Sequence, residues 1–266
     1  ISLRLRRCGR DWVQTVKDVG ARASGLFERR EWEIAVPDGV PNRAHLLATG
    51  LAAFRQGGVI EQLCPHFTTE VKRGLHHLAG PGWEVELALD HGEIVAGERR
   101  QAIAEVELEL ISGPTAAVFA LAEHLAAALP CRILAQTKSE RGFLLADATP
   151  VLPVKARPPA LSAGTSVAAA FQTIASNCLE HLAVNDPALH GPDPAEAVHQ
   201  MRVALRRLRS ALKLFKPLLS GQELTPLRDE LRWLLDHLGP VRDGDVFLAE
   251  IIAPVLEHHP DAPALI

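Results

Sequence analysis

The chain has 266 residues, of which 47% are hydrophobic. This is enough apolar material for a sizeable core, and the length indicates two domains. The formal net charge of -4 argues against diffuse binding of nucleic acid. The sequence contains no run of about 18 apolar residues, so we expect no membrane span.

The chain contains four scattered cysteines and no Cys-x-x-Cys pair. This pattern favours buried free thiols in a reducing cytosol over disulfides, so we expect a cytoplasmic protein. The sequence opens at Ile1, inside a predicted strand and without an initiator methionine, which is typical of a fragment.

Residues 1–146 contain several segments in which apolar and charged side chains alternate. Alternation with a period of two is typical of strands that have one apolar and one charged face. It predicts strands at residues 3–6, 12–17, 31–34, 85–87 and 105–110. Residues 42–56 and 115–129 have helical spacing instead, and the second of these segments stops at Pro130.

The charged faces of these strands differ in sign. The first two strands carry cations on matching faces, at Arg4, Arg6 and Lys17. A later strand carries three carboxylates on one face, at Glu105, Glu107 and Glu109. Two interpretations stay open. The faces are ordinary water-exposed surfaces, or they line a tunnel in which cations hold phosphates and carboxylates hold a divalent metal, with the two helices covering the apolar outer faces.

The rest of the chain has helical spacing. Prolines between 150 and 159 predict a linker at residues 147–161, which separates a domain at 1–146 from one at 162–266. A first helix is predicted at 166–183. A second begins at Asp193-Pro194, which supplies a cap and a first-turn proline, and ends near Pro217. A third is predicted from 225 to Gly239-Pro240, and a fourth from about 243, interrupted at Pro254.

The second of these helices carries positive charge along one side. At about 100° per residue, five cations and one histidine fall within one arc, and only Arg207 among the cations lies outside it. We call this set the cationic line: His199, Arg202, Arg206, Arg209, Lys213 and Lys216. Solvated helix faces usually mix charges of both signs. A line of one sign therefore predicts a multiply charged anionic partner.

Several of these motifs resemble a known family. Residues 3–7, 12–17, 29–33, 105–110 and 138–143 resemble the CYTH domain, the triphosphate tunnel metalloenzyme fold. Residues 198–209 and 239–243 resemble the CHAD domain, a conserved-histidine α-helical module that binds polyphosphate. The tandem order is similar to bacterial inorganic triphosphatases. The resemblance implies an α+β fold class: an eight-stranded antiparallel β tunnel with covering helices, followed by an all-α helical bundle.

The resemblance also implies roles for particular residues. Triphosphate oxygens would be contacted by Arg4, Arg6, Lys17, Arg29, Arg73, Lys138 and, less strictly, Arg141. The metal, Mg²⁺ or Mn²⁺, would be held by Glu107 and Glu109, with Glu86 and Asp90 as weaker candidates. The catalytic candidates are Glu31, Glu33 and Lys17, where one carboxylate orients or deprotonates the attacking water. Polyphosphate would be bound by His199, Arg202, Arg206, Arg209 and Lys213.

The chain departs from the family pattern in two places. The family's tunnel begins with a Glu-x-Glu-x-Lys strand, and the residues from Ile1 onward begin without that motif. We therefore expect a tunnel without its first strand and with fewer metal ligands. The family's helical module usually comprises two four-helix halves, so we expect residues 162–266 to hold about the first half.

These observations predict metal-dependent hydrolysis of inorganic triphosphate, joined to a module that binds polyphosphate. Two alternatives stay open: a non-catalytic polyphosphate-binding protein with a degenerate tunnel, and a hydrolase of an organic triphosphate such as ATP or thiamine triphosphate. The aromatic fraction of 5%, without tyrosine, offers few surfaces for stacking a base and favours an inorganic substrate. We expect inorganic triphosphate or polyphosphate as partners, without a membrane or a specific nucleic acid. The sequence leaves the oligomeric state open.

Overall fold

The computed structural model describes residues 1–18, 20–23, 26–219 and 224–258. The chain divides into two compact units. The first, which we call the N-terminal unit, comprises Ile1–Arg22, Leu26–Arg132 and Gln136–Thr149. The second, the helical unit, is formed mainly by Pro150–Ile266. The boundaries expected from the sequence, at 146 and 162, stay a prediction.

The N-terminal unit contains eight strands and three helices within the described residues. The strands are β1 (Ser2–Cys8), β2 (Asp11–Lys17), β3 (Ala21–Ala23), β4 (Leu26–Glu28), β5 (Glu31–Val36), β6 (Thr68–Gly80), β7 (Trp83–Ala96) and β8 (Arg99–Ser112). The helices are α1 (Arg43–Ala48), α2 (Ala116–Ala128) and α3 (Lys138–Ala146), and a 3₁₀ helix spans Ala52–Arg55. The α+β class with antiparallel sheets is confirmed.

These strands form separate sheets. The first sheet has the order β1-β2-β5, the second has the order β6-β7-β8, and β3 pairs with β4. The resemblance implied one continuous eight-stranded tunnel, but strand pairing among the described residues does not join the sheets into one. Strands β5 and β6 are each at the edge of their sheet, and α1 and the 3₁₀ helix lie between them in the chain.

The first sheet is apolar on one face. Leu3, Val16 and Trp32 alternate along their strands with the charged residues, and they pack against Leu46 of α1 and Phe54 of the 3₁₀ helix. The helix α1 is fastened to this face by the buried Gln14, whose side chain contacts His45 and accepts from the Asn42 N–H. A covering helix on the apolar side therefore leaves the opposite face of the sheet to the charged side chains.

The second sheet is built from two hairpins of long strands. Pro81 and Gly82 form the turn between β6 and β7, and the φ of +78° at Gly82 requires the left-handed region. Proline followed by glycine is typical of a type II turn. The hairpin sets a register in which Arg73 is opposite Asp90, and Asp90 is opposite Glu105. The helix α2, which the sequence predicted at 115–129, contacts β7 and β8.

The helical unit contains α4 (Val167–Asn185), α5 (Pro194–Leu214), α6 (Leu224–Phe247) and α7 (Ala253–His258), with a π-helical segment at Leu248–Ile252. Its core lies where α4, α5 and α6 meet. The buried residues of this core are Cys178, Leu205, Leu208, Leu212, Leu231 and Leu235. None of the helices in the described part of the chain is long and apolar enough to cross a membrane.

The sequence prediction of a helix end at Gly239-Pro240 is wrong, because α6 continues through Pro240 to Phe247. A proline in a helix interior leaves a carbonyl without its usual donor, at a cost of about 3 kcal/mol. In α6 this carbonyl is that of Asp236, four residues before Pro240. One residue earlier, Arg202 Nη1 donates to the Leu235 carbonyl at 3.2 Å. Gly239 has no side chain that would crowd this guanidinium, which lies 3.1 Å from where a Cβ would be.

The prediction of buried thiols is also wrong for three of the four cysteines. Cys8, Cys64 and Cys131 are exposed free thiols, and only Cys178 is buried. Cys8 lies at the end of an edge strand, and the other two lie outside regular elements, so that no core forms around them.

Candidate functional site

One face of the first sheet collects the cations that the sequence singled out. Arg4 and Arg6 on β1 and Lys17 on β2 lie on the same face, since Arg4 is opposite Thr15 and Ser2 is opposite Lys17. We call these three residues the cation face. Two predicted catalytic residues, Glu31 and Glu33, lie on the same side of β5, opposite Lys17 and Thr15 respectively.

The glutamates of β5 hold their cross-strand neighbours in place. Lys17 Nζ lies 2.5 Å from Glu31 Oε1, and Arg29 Nε lies 3.4 Å from the same oxygen. Thr15 Oγ1 donates to Glu33 Oε1 at 2.6 Å, and Arg6 Nη2 approaches that oxygen at 4.0 Å. Burial alone would raise the pKa of Glu31, but the hydrogen bond from Lys17 and the charges of Lys17 and Arg29 bring it below its ordinary value.

Positive charge is crowded on the cation face. Burial, and then the charge of Arg6, lower the pKa of Arg4. Burial also lowers the pKa of Lys17, against the hydrogen bond to Glu31. The Nε atoms of Arg4 and Arg6 are buried, and neither has a hydrogen-bond partner in the described structure. An anion on this face would relieve both the repulsion and the unmet hydrogen bonding.

A network of one arginine and two carboxylates connects the three strands of the second sheet. Arg73 on β6 forms a two-pronged contact with Asp90 on β7, at 2.7 and 2.6 Å, and reaches Glu107 Oε2 on β8 at 2.7 Å. The side chain of Asp90 is 0% exposed. The charge of Arg73 also contributes to lowering the pKa of Arg4, so the charged faces of the two sheets lie within electrostatic range of each other.

The helix α3 adds two cations to this cluster. Thr137 and Glu140 form a capping box at its start, which fixes the first turn. From that turn, Lys138 Nζ contacts Asp90 Oδ2 at 2.7 Å, Glu107 Oε1 at 2.6 Å, and Glu105 Oε1. One turn later, Arg141 Nη2 lies 2.6 Å from Glu105 Oε2, with both side chains about nine-tenths buried.

The close seating of α3 depends on a glycine. A Cβ at Gly142 would lie 2.2 Å from the ring of Phe67, which is closer than real contacts allow. Phe67 also packs edge-on against Phe143, with ring centroids 5.2 Å apart. A glycine followed by an aromatic residue therefore lets α3 approach the chain just before β6, and this approach brings Lys138 and Arg141 to the carboxylates.

The pKa values reflect this network. Burial alone would raise the pKa of Asp90 and of Glu107, but hydrogen bonds and charges from Arg73 and Lys138 bring both below their ordinary values. Burial would lower the pKa of Lys138, yet its three carboxylate contacts raise it. The hydrogen bond to Asp90 raises the pKa of Arg73. All four groups are therefore charged near neutral pH.

Three carboxylates form a set that fits a divalent metal ion. One oxygen each from Asp90, Glu105 and Glu107 lies within 4.8 Å of the other two. We call these residues the acid cluster. Oxygen donors of this kind suit Mg²⁺ and Mn²⁺. The Lys138 ammonium contacts all three residues, so a cation is already accommodated among them.

The acid cluster differs from the pair of metal ligands expected from the sequence. Glu107 belongs to it, but Glu109 is exposed on β8 opposite Glu86. Sequence reasoning named Asp90 only as a weaker candidate, and it included Glu105 in the carboxylate face of β8 without naming it among the best ligands. The signal for Glu105 was its shared parity with Glu107, whereas Asp90 depended on the hairpin register. The roles of Glu107 and Glu109 as ligands stay predictions.

The cationic line lies on α5 in the helical unit. Val198, Ala204, Leu208 and Leu212 are buried on one side of α5, while Arg206, Arg209 and Lys213 are exposed on another. Within the described chain, none of these three exposed cations forms an ion pair with a carboxylate. These three cations keep their charge uncompensated, in contrast to Arg73, Lys138 and Arg141 of the N-terminal unit.

Two grooves run along the cationic line. The first has a volume of about 390 Å³ and is lined by Arg202, Arg206, Arg209, Leu235, Asp236, Gly239 and Pro240. The second, of about 210 Å³, is lined by Arg209, Leu212, Lys213, Lys216, Arg228, Leu231 and Arg232. Arg228 and Arg232 on α6 extend the basic surface beyond the sequence prediction. Their spacing of four residues on a helix was the available signal. His199, at the other end of the line, lines neither groove and is partly buried.

Arg207, the cation outside the line, has a structural role. Its Nη2 atom donates to Asn177 at 2.8 Å and to the Arg157 carbonyl at 3.3 Å. Nearby, the Val154 N–H donates to Asn185, and the Val154 carbonyl accepts from Asn185 and from the buried His181. Arg207, His181 and Asn185 thus fasten the proline-rich segment to α4 and α5.

Comparison with known proteins agrees with these features. The CYTH domain family matches residues 1–143, which is more than half of the chain, and the CHAD domain matches residues 173–265. The chain is 32% identical over 146 residues to the inorganic triphosphatase of Haemophilus influenzae. That alignment covers 54% of this chain and 41% of the relative, so the chain spans about two fifths of the relative's length. The resemblance drawn from the motifs is confirmed, and the chain belongs to the CYTH domain family, with a CHAD domain following in the same chain.

Proposed function

We propose that the N-terminal unit hydrolyses inorganic triphosphate with the help of a divalent metal ion. The observation that carries this proposal is the acid cluster, three carboxylates with oxygens within 4.8 Å of one another, in electrostatic range of a crowded cation face. Carboxylates suit a metal, and crowded cations suit a polyanion. The similarity to an inorganic triphosphatase supports the same reaction.

The cation face binds the substrate. Arg4 and Arg6 offer guanidinium groups that match phosphate oxygens in pairs, and Lys17 offers a point charge. Arg29, held beside Lys17 by Glu31, adds a further cation at the edge of the same sheet. Bound phosphate oxygens would supply partners to the buried Nε atoms of Arg4 and Arg6. These cations also neutralise charge that develops on the phosphoryl oxygens during hydrolysis.

Asp90, Glu105 and Glu107 are the residues that would hold Mg²⁺ or Mn²⁺. When bound, this ion polarises a phosphoryl oxygen and helps to align the substrate. Arg73 and Arg141 orient the carboxylates through oxygens that Lys138 does not contact. Arg73 holds Asp90 Oδ1 and Glu107 Oε2, and Arg141 holds Glu105 Oε2. Glu109, the ligand expected from the sequence, lies two positions along β8 and is the alternative donor to be tested.

The two glutamates of β5, Glu31 and Glu33, have different roles in the proposed reaction. Glu31 holds Lys17 and Arg29, and its lowered pKa makes it a weak proton acceptor, so it positions the two cations. Glu33 faces the same side, with its side chain 46% exposed, and is the carboxylate placed to orient a water molecule. The water oxygen bonds to the terminal phosphorus to form phosphate and gives its proton to Glu33, while the bond to the bridging oxygen breaks and diphosphate leaves. Lys17 stabilises the negative charge on the phosphoryl oxygens.

The substrate we assign is inorganic, and the compartment is the cytoplasm. The low aromatic content of 5% leaves few surfaces on which a base or a thiazole ring stacks. Exposed thiols at Cys8, Cys64 and Cys131 are suited to a reducing compartment.

The test is phosphate release from triphosphate with Mg²⁺, with Mn²⁺ and with a chelator, in competition with ATP and thiamine triphosphate. We expect metal-dependent release with a preference for inorganic triphosphate. Arg4→Ala should raise KM by about 10-fold or more, since one charge-assisted contact is lost. Arg7→Ala is the matched control, because Arg7 is an exposed arginine on the same strand. The proposal would be refuted if phosphate release were the same with and without the chelator, or if Arg4→Ala and Arg7→Ala changed KM equally.

A second function is favoured by the uncompensated charge on α5. The helical unit binds polyphosphate along the cationic line, with Arg206, Arg209 and Lys213 as exposed contacts. The basic groove of about 390 Å³ beside them supports an extended polyanion. His199 and Arg202 lie further along the same line and complete the predicted contact set.

Polyphosphate binding is tested by titration at several salt concentrations. Each phosphate contact contributes a salt slope of somewhat under one, so the Arg206→Ala, Arg209→Ala double variant should lose about 1.5 units of slope. The charge-matched control is the Arg99→Ala, Arg100→Ala double variant, which changes two exposed arginines of the N-terminal unit. An unchanged slope in the first double variant would contradict binding along the line.

A further inference from the structure

Lys138 occupies the position at which the acid cluster accepts a cation. Its Nζ atom contacts one oxygen of each acid: Asp90 Oδ2 at 2.7 Å, Glu107 Oε1 at 2.6 Å, and Glu105 Oε1. The lysine side chain is 17% exposed, so little water separates the ammonium from the acids. The capping box of Thr137 and Glu140 fixes the backbone from which this side chain extends.

The ammonium and a divalent ion cannot use these three oxygens together. A magnesium ion lies about 2.0–2.1 Å from its oxygen ligands, and a calcium ion about 2.3–2.6 Å, close to the nitrogen–oxygen distances of Lys138. Two cations at such positions would nearly coincide, and their repulsion in a partly buried site amounts to several kcal/mol. Entry of the metal therefore requires the departure of Lys138.

The other two cations of the site stay in place when Lys138 leaves, because their contacts do not depend on it. The one oxygen they share with Lys138 is Asp90 Oδ2, which Arg73 also contacts at 2.6 Å. Arg73 contacts Glu107 Oε2, and Arg141 contacts Glu105 Oε2, whereas Lys138 contacts the Oε1 atom of each glutamate. Arg73 also keeps Asp90 in a two-pronged contact. The arginines thus keep the carboxylates oriented. Lysine is the cation suited to leave, because it is a single charge on a flexible four-carbon chain.

We propose that Lys138 is a displaceable counter-cation, which a divalent metal ion expels from the acid cluster and which then contacts the bound triphosphate. This inference rests on the metal site of the proposed function, and it predicts how metal binding and triphosphate binding affect each other. When the metal binds alone, it must break the contacts of Lys138 with the acids, and this cost weakens metal binding. When triphosphate is also present, the Lys138 ammonium contacts a phosphate group, and this new contact offsets the cost. Metal and triphosphate therefore bind with positive coupling, and each raises the affinity for the other by the same factor.

The experiment measures Mn²⁺ binding by calorimetry or by electron paramagnetic resonance, with and without a non-hydrolysable imido analogue of triphosphate. In the unaltered chain we expect the analogue to tighten Mn²⁺ binding. In Lys138→Met we expect Mn²⁺ to bind at least about 10-fold more tightly without the analogue, and the tightening by the analogue to shrink. The matched control is Lys72→Met, since Lys72 is an exposed lysine on β6 outside the acid cluster.

A thermal melt of the same proteins provides a second readout. Removing Lys138 leaves the acids less compensated, so the metal-free variant should melt below the unaltered chain, and Mn²⁺ should raise its Tm by more. Lys138→Gln repeats the test if the methionine variant does not fold. Mn²⁺ binding that is unchanged or weaker in both folded variants would overturn the inference alone. An unaltered chain that binds no Mn²⁺ even with the analogue would overturn the proposed metal site itself.

Discussion

The cations around the acid cluster and those of the cationic line are arranged in opposite ways. Arg73, Lys138 and Arg141 are each held by buried or half-buried carboxylates, whereas Arg206 and Arg209 of the cationic line are exposed and form no ion pair within the described chain. A network of ion pairs fixes the positions of a few charged side chains, so it can bind a single ion at a defined place. An unpaired line attracts any extended polyanion and is weakened by salt. The difference is in line with the two proposals, catalysis by the N-terminal unit and polyanion binding by the helical unit.

The largest effect that separates the two arrangements is expected for Arg73→Ala. It removes the two-pronged partner of the fully buried Asp90 and leaves Lys138 as the remaining cation on that carboxylate, so the cost is at most about 3–5 kcal/mol, that of a broken buried pair. Arg100→Ala is the control, because Arg100 contacts Glu93 at the surface and such pairs contribute about 0–1 kcal/mol. Unfolding in urea measures both changes. Similar losses in the two variants would contradict a buried network.

Acid should weaken the network next. The folded-state pKa values of Asp90 and Glu107 are lowered, so both carboxylates bind protons less readily in the folded than in the unfolded chain. Their contribution is fully present above the ordinary carboxyl values of 3.8 and 4.5, and it is lost as the pH falls through the lowered folded values. We expect the free energy of unfolding to decline in that acidic range.

Unfolding of Asp90→Asn as a function of pH measures this contribution. The variant should be less stable at neutral pH and should lose less stability in acid than the unaltered chain. Glu98→Gln, an exposed carboxylate between β7 and β8, is the control and should leave the pH profile unchanged. A profile for Asp90→Asn that runs parallel to the unaltered one would show that the pairing contributes nothing.

A smaller effect distinguishes two arginines of the cationic line. Arg202→Ala removes a charged donor to the Leu235 carbonyl of α6 and should cost about 1.5–3 kcal/mol of stability. Arg206→Ala changes an exposed side chain and should shift stability by no more than about 0.5 kcal/mol. Both substitutions should weaken polyphosphate binding. Equal stability of the two variants would show that Arg202 does not support the helix through Pro240.

Much of the charged architecture could be predicted from the sequence. Alternation along β1, β2 and β8 placed Arg4, Lys17 and Glu107 on polar faces, because the period of a strand is fixed by its backbone. Asp90 could not be identified from the sequence as a main member of the acid cluster. Its positions opposite Arg73 and Glu105 depend on the registers of two hairpins. The periodicity of a single strand carries no information on register.

Helix boundaries at prolines were the least predictable feature. Thr137 and Glu140 form a capping box that the sequence displays, and they begin α3. Gly239-Pro240 displays an equally strong stop signal, yet α6 passes through it. The helix is held by packing of Leu231 and Leu235 in the shared core and by the bond from Arg202 of α5 to the Leu235 carbonyl, and no local pattern reveals such contacts between helices.

The central claim is tested most directly by comparing Glu107→Gln with Glu109→Gln in metal-dependent phosphate release from triphosphate. The two glutamates lie on the same face of β8, but only Glu107 belongs to the acid cluster. We predict a loss of about 100-fold for Glu107→Gln, which is the scale for disturbing a metal site, and a change of less than about 3-fold for Glu109→Gln. Undiminished, metal-dependent release by Glu107→Gln would contradict the account.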